Sequence, residues 1–592
     1  MVYLHRDGKN FKGRKIGGRE VVNYIALALI AIILVYIAFT IYMPSYETGS
    51  IYENMENLSD SRINVAIDDK YVKLEHYPVI KNGEIYVPAD FVKRYFDPYI
   101  FWEREANRLT ITTENKVIAM KTEELNYYVN NEPMRLDLPV YRENDMAYIP
   151  GGFCETFYNL SFQYSEEYKI LTVDKRDKTR TEAKTVKETP MRFEASKKSP
   201  KMWDAPEGEK LVIFGTKGDY TLARARNGLV GYALSKHIGE GEKTVPIYKP
   251  EEPEPKVPPL EISGKIALLW DQVTTAEAAS NPERREAVPG VNVMSPTWFE
   301  YDYEKIGSDS EADIVNIGDA AYVQAAHANG RQVWAMLRDF TDNYWGSEIS
   351  RAILTNPENR EKTIKQLLAF SSMYSLDGIN LDFENVTESD AEYYLQFLRE
   401  LRPFLNRQGV ILSIDMYVPV FTKYMDRENI AKTVDYICVM AYDEHSSHSE
   451  NSGPVASLGF VENGIAETLS EGVPKEKILL GVPFYVRIWT EWQEKGQVHF
   501  KKEDRGMKSA YDYFIKNGAE FTWMPDIGCF YAEFVTEEDG REVVKKVWLE
   551  DERSVNEKLN LADRYGVAGV AFWKRALETE AVWGDVMAYI SS

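Results

Sequence analysis

The sequence predicts a multidomain fold: an N-terminal transmembrane helix, an α+β repeat domain, a small β-barrel and a C-terminal (β/α)8 barrel with an α+β insertion. Three observations predict it. Residues 21–43 form a predominantly apolar run without a charge, which meets the length of about 20 residues that a membrane span needs. A pattern starting at Pro78 returns at Pro139. From about residue 262 onward, eight short apolar segments alternate with amphipathic helical ones, the rhythm of a barrel of parallel strands.

A chain of 592 residues exceeds one ordinary domain, and 44% hydrophobic residues suffice for large cores. The net charge of -23 and pI near 5.0 argue against a nucleic-acid partner, which requires a basic surface. The first twenty residues reverse the sign, with Arg6, Lys9, Lys12, Arg14, Lys15 and Arg19 against Asp7 and Glu20. This basic tail (1–20) precedes "VVNYIALALIAIILVYIAFTIYM" at 21–43. Signal-peptide cores are shorter, about 7–15 residues, and end at small residues, whereas Phe39, Ile41, Tyr42 and Met43 close this run. The expectation is a retained single-pass anchor in a bacterial cell membrane, with the N-terminus cytoplasmic and everything beyond about residue 45 outside. Three cysteines make no disulfide framework, and Cys438 in "YICVMAY" reads as core packing.

Residues 62–176 carry the internal repeat. "PVIKNGEIYVPADFVKRYF" matches "PVYRENDMAYIPGGFCETFY", with Val87-Pro88, Phe91, Leu109 and Ile111 answering Ile149-Pro150, Phe153, Leu171 and Val173. Each copy reads as a hairpin, a short helix and further strand. The region resembles the N-terminal domain of copper amine oxidases, although His76, its one histidine, offers no copper site. Residues 191–240 alternate apolar residues between turn signals, as a small β-barrel does. Their "ARARNGLVGYALSKHI" ending resembles bacterial Src-homology-3 domains, which implies docking to cell wall. The Pro/Glu-rich segment 244–261 reads as an extended linker.

The barrel, 262–592, is expected from the strands at "KIALLW", "VNVMSP", "QVWAML", "GINLDF", "VILSID", "DYICVMAY", "ILLGVPFY" and "VAGVAFW". The long connection from about 486 to 566 has strand-like runs of its own and reads as an inserted subdomain. The chemistry concentrates in "SLDGINLDFENV" (375–386), where Asp377, Asn380, Asp382 and Glu384 interleave with Ile379, Leu381 and Phe383. Strand alternation puts Asn380, Asp382 and Glu384 on one face. Glu384 comes last, at the C-terminal end of the fourth strand, where barrel active sites lie. Burying acids together is costly unless a reaction uses them.

The stretch D-G-I-N-L-D-F-E resembles the signature of glycoside hydrolase family 18, with Asn380 where an aspartate is usual. "VMAYDEH" resembles the family's Met-x-Tyr-Asp, giving Tyr442 and Asp443; "GVPFYVRIW" and the final stretch ending at Trp573 also fit. The likeness is nearest to spore-cortex and cell-wall members. The family's Ser-x-Gly-Gly on the third strand is missing, and "AMLRDF" stands there instead. The resemblance implies substrate-assisted retention, an exception to the two-carboxylate rule. Glu384 would be the general acid and base, Asp382 would orient the substrate acetamide, and Tyr442 would hydrogen-bond its carbonyl. Trp573 would floor the sugar site. Asp377, Asn380, Asp443, Met416, Tyr417, Tyr485 and Arg487 are expected to line it. Asparagine at 380 keeps a hydrogen bond and removes a charge, so activity should survive with a shifted pH profile.

The function these features imply is cleavage of β-1,4 linkages in N-acetylglucosamine-containing glycan, peptidoglycan above all, by an enzyme without metal or other cofactor. The partners expected are that polysaccharide, the wall through 191–240 and the membrane through 21–43. A chitinase or an endo-N-acetylglucosaminidase on other glycans is the neighbouring reading. An inactive glycan-binding scaffold is the reading from another class, against which the retained Glu384, Asp382 and Tyr442 count.

Overall fold

The computed structural model describes residues 18–244, 257–446, 449 and 451–592. Residues 1–17 of the expected basic tail and 245–256 of the expected linker lie outside the described residues. The chain divides into two compact units, Met1–Pro98 with Leu138–Glu251, and Tyr99–Asp137 with Glu252–Ser592.

In the first unit the apolar run forms one helix, Gly18–Tyr42, none of whose residues is buried. The sequence repeat becomes a local two-fold pattern. Strands Glu84–Pro88 and Met146–Pro150 pair antiparallel with Val87 opposite Ile149. Each runs straight into a short helix, Ala89–Tyr95 or Gly151–Phe157. Pro88 and Pro150 sit at the N-caps, where a missing N–H costs no helical hydrogen bond. The later halves of the repeat part company. Ile170–Lys175 pairs with Asn64–Ile67 in the first unit. Its counterpart Arg108–Thr112 lies in a five-stranded antiparallel meander, Phe101–Glu103 to Glu132–Arg135, that belongs to the second unit. The region 62–176 is thus shared between the two units. A seven-stranded sheet completes the first unit; it contains 191–240 and adds strands Arg180–Lys184 and Glu242–Thr244, which pair with each other.

The second unit is the barrel. All eight expected strands are present: β1 (Ile266–Asp271), β2 (Val293–Pro296), β3 (Gln332–Arg338), β4 (Gly378–Asp382), β5 (Ile411–Tyr417), β6 (Tyr436–Met440), β7 (Ile478–Pro483) and β8 (Gly569–Trp573). They pair parallel in sequence order, β8 closes onto β1, and β2 pairs with β3 through Val293–Gln332 and Met294–Val333. The strands are buried almost throughout, because helices cover one face and barrel-filling side chains the other. Gly569 marks one tight contact: a Cβ there would meet the Ile266 carbonyl oxygen at 2.0 Å.

Helix α1 (Pro357–Tyr374) starts from the Asn356 cap, whose side chain accepts from the Glu358 N–H, and α2 (Ala391–Gln408) ends at Gly409 with φ 70°. Between them Arg360 is fully buried and bonds two carboxylates, Glu400 of α2 and Glu103 of the meander, at 2.8–3.0 Å. The Phe101 ring meets Tyr393 edge-on nearby. The meander is therefore part of the barrel's own packing. The insertion is a five-stranded antiparallel sheet between Tyr485 and Leu549 with helix Met507–Lys516 against it, around Val486, Ile488, Phe514, Ala532 and Val547. The end of the span expected for it forms instead a barrel helix, Glu552–Tyr565, that leads into β8.

Candidate active site

β4 is buried along its whole length, so its two faces have different fates. Ile379, Leu381 and Phe383 join the apolar core, and Phe383 stacks on Tyr394 and Phe397 of α2. Asn380 and Asp382, on the other face, are 0% and 3% exposed. Glu384 stands two residues beyond the strand and keeps partial exposure at the barrel mouth. Burial pushes its carboxyl well above the usual range, the Asp382 charge adds to this, and Tyr417 opposes it by hydrogen bonding. A shift in this direction favours the protonated form, which a general acid needs.

The backbone at Glu384 is clamped. Asp339, directly after β3, accepts the N–H of Glu384 at 2.9 Å and of Asn385 at 3.0 Å, and the Ser350 hydroxyl donates to it. Asp339 is fully buried. It belongs to "AMLRDF", which sequence reasoning registered only as a departure from a motif. An acid immediately after an apolar strand was the available signal.

β5 contributes a second residue that sequence reasoning missed. Asp415 is 3% exposed and accepts a hydrogen bond from Asn380 Nδ2 at 2.7 Å, while the Ser413 hydroxyl donates to Asn380 Oδ1 at 2.6 Å. Burial raises the Asp415 carboxyl to about 8, with Glu384 adding and the bonds from Asn380 and Cys438 opposing. Burial also drives Asp382 well up, and Asp415 is the next cause. A carboxyl group absent at position 380 is therefore present one strand away, bonded to Asn380.

The remaining strands close the site. Tyr442, after β6, is 7% exposed and stands edge-on to Tyr485 at 6.2 Å. Its hydroxyl is raised by burial first, then by Tyr485, with Asp415, Glu384 and Asp382 adding. Asp443 has φ 59° and accepts from the Tyr485 hydroxyl at 2.6 Å and from Arg487 at 2.9 Å. Arg487 also grips Asp504 of the insertion through two bonds, 2.7 and 2.8 Å. Trp573 ends β8 and meets Trp270 of β1 edge-on at 5.8 Å.

One expected lining residue lies elsewhere. Asp377 precedes β4 at the opposite end of the barrel, where it accepts the Val333 N–H and pairs with His327, both at 2.8 Å. It tethers β3 to β4 and does not face the mouth. Met416 lies between Asp415 and Tyr417 on β5, packs in the core and lines a small cavity together with Glu384, Asp415 and Tyr417. His76 is paired with Asp90 at 2.9 Å. Among the described residues no group of three or more histidines, cysteines or acids is arranged to hold a metal ion.

Residues 342–578 match the family model described as glycosyl hydrolases family 18, and residues 66–173 match the copper amine oxidase N-terminal domain. YdhD of Bacillus subtilis, named as a sporulation-specific glycosylase, is 28% identical over 277 residues, covering 45% of this chain and 63% of that one. The cortical fragment-lytic enzyme of Bacillus subtilis is 24% identical over 258 residues, 42% of this chain and 58% of its own length. This chain therefore spans less than two thirds of either relative. Among solved structures, the Bacillus cereus spore cortex-lytic enzyme SleL aligns with a TM-score of 0.47 at 19% identity, over 55% of this chain and 74% of that one. A chitinase from Chromobacterium violaceum aligns with a TM-score of 0.46 at 19% identity, over 55% and 99%.

Proposed function

We propose that the barrel, matched over residues 342–578 by glycosyl hydrolases family 18, is the catalytic unit of a membrane-anchored glycosidase that cleaves N-acetylglucosamine-containing wall glycan. The observation that carries this is Glu384: a carboxyl raised well above its ordinary range, partly exposed at the C-terminal end of β4, with its backbone held by Asp339. Three functional groups act together there, two carried by β4 and one by β6. Glu384 gives its proton to the glycosidic oxygen, then takes one from water. Asp382 lies one side chain deeper on the same face, with one carboxylate oxygen unpartnered, and receives the N–H of the substrate acetamide. Tyr442 donates to the acetamide carbonyl as that oxygen attacks the anomeric carbon. The substrate thus supplies the nucleophile, and configuration is retained.

The named relatives that act on spore cortex fragments favour peptidoglycan. The helix Gly18–Tyr42 spans about 1.5 Å per residue, enough to cross a hydrocarbon core of about 30 Å. It serves as the anchor, and the sheet containing 191–240 as a wall-docking module.

The test is incubation of the full chain in detergent with peptidoglycan and, separately, with chitin, and identification of the products by mass. Reducing ends at N-acetylglucosamine are expected, and Glu384→Gln should lower turnover by about 10²–10⁴-fold. Full activity in Glu384→Gln overturns the reading, as does brisk cleavage of fully de-acetylated glycan.

A further inference from the structure

Within the first unit, the chain leaving the helix Gly18–Tyr42 is clasped by a loop 155 positions later. The Lys198 ammonium donates to the Thr40 and Met43 carbonyls. The Thr40 carbonyl would ordinarily accept from residue 44, but Pro44 has no N–H to give. The Ser45 N–H donates to the Lys197 carbonyl at 2.7 Å, and Arg192 donates to the Ser45 carbonyl at 3.0 Å. Further on, Gly49 donates to the Lys201 carbonyl at 3.0 Å and Lys201 to the Glu47 carbonyl at 2.9 Å. Residues 45–49 thus run beside the edge strand Lys201–Ala205 of the seven-stranded sheet.

We infer that the loop 194–199 is a membrane-surface clasp whose Lys197 and Lys198 bind the headgroups of anionic phospholipids. The inference rests on the anchor reading above. As a helix, the apolar run 21–43 rises about 34 Å against a hydrocarbon core of about 30 Å. Thr40 and Met43 therefore stand at one edge of that core, and a side chain bonded to both stands at the headgroups. Lys197 and Lys198 are exposed. An ammonium has three N–H groups, so Lys198 keeps one for a phosphate beside its two carbonyls. The Lys197 ammonium lies 5.5 Å from the ring centre of Tyr42. Tyr42 and Tyr46 are 73% and 75% exposed, the amphipathic rings that belong at a membrane–water boundary. Local sequence offers lipid no cation there: residues 44–61 hold Glu47, Glu53, Glu56 and Asp60 and no lysine or arginine. The fold supplies the charge instead, and the clasp holds one edge of the sheet that contains 191–240 at the membrane surface.

The three native cysteines are buried, so Ser196→Cys in the full chain takes a fluorophore at this loop alone. The labelled chain is reconstituted into phosphatidylcholine vesicles. Separate arms carry, at equal mole fraction, phosphatidylglycerol or phosphatidylcholine with a nitroxide at the top of one acyl chain. Both should quench the label, because the loop stands at the surface, and phosphatidylglycerol should quench about threefold more strongly. Lys197→Gln with Lys198→Gln keeps length and N–H donors and removes both charges. In that variant the preference should fall to about one while quenching by phosphatidylcholine stays the same, a split that a merely structural clasp does not give. Salt at about 1 M, where the Debye length is about 3 Å, should also erase the preference. If the loop does not tolerate the label, Tyr46→Cys on the facing segment reads the same surface. Equal quenching by the two lipids in the unmutated chain overturns the inference and leaves the anchor standing. So does a chain that sediments with the vesicles and is quenched by neither. A chain that stays in the supernatant removes the anchor reading, and the inference with it.

Discussion

Asp339 shows how one buried side chain fixes a reactive one without touching substrate. Its carboxylate collects the N–H groups of Glu384 and Asn385 and the Ser350 hydroxyl, and burial raises its pKa against the pull of those bonds. Asp339→Ala orphans two backbone donors, each costing about 1–3 kcal/mol when left unsatisfied. The loop that carries Glu384 should loosen, so kcat should drop by about tenfold or more with little change in KM, a misplacement effect. Steady-state kinetics against N-acetylated oligomers checks this, and an unchanged kcat would remove Asp339 from the site's support. Asn380 was expected to act by lacking a charge. Its bonds to Asp415 and Ser413 tie β4 to β5, so Asn380→Asp sets a carboxyl directly against Asp415, a larger perturbation than a lone exchange.

At the scale of elements, the pairing of α1, α2 and the meander turns on Arg360. The residue is 0% exposed and satisfied by Glu103, Glu400 and the Leu354 carbonyl. Removing one partner of a buried pair is costly because the other charge stays behind. Glu103→Ala should destabilise the second unit by about 3–5 kcal/mol, measured by denaturant unfolding, whereas replacing Arg360, Glu103 and Glu400 together by Met, Leu and Leu should be nearly neutral. A small effect of Glu103→Ala would mean that the meander is dispensable. Glu103 lies far upstream of the expected barrel start near residue 262, so the same series tests whether the barrel's stability depends on the meander.

For the whole molecule, the N-terminal helix is the element that bears on membrane association. The helix Gly18–Tyr42 has no buried face in the first unit, so its apolar surface is available to lipid. The full chain should sediment with membranes and resist extraction by high salt, which weakens surface electrostatics but not apolar insertion. Removing residues 1–45 should release it. A full chain that stays in the supernatant at low salt would leave the anchor without support. Protease added to intact cells should also reach the barrel, as the basic residues before the helix imply.

The sequence by itself determined what depends on short-range periodicity. An uncharged apolar run, the alternation of eight short apolar segments with helical ones and the repeat around Val87 and Ile149 each leave a local mark, and each reappears in the structure. The face assignments along β4 followed from alternation alone, which is why Glu384 and Asp382 were legible, and motif matching supplied Tyr442. Tertiary structure alone decided what meets across the barrel. Asp415 and Asp339 are separated from Glu384 by 31 and 45 positions, and only closure of the barrel brings β3 and β5 beside β4. Asp377 lies at the other end of the barrel because residue type carries no record of which end of a strand it occupies once the register is set. The division of 62–176 between two units likewise rests on burial of Glu103 against Arg360, a long-range ion pair for which the repeat pattern holds no signal.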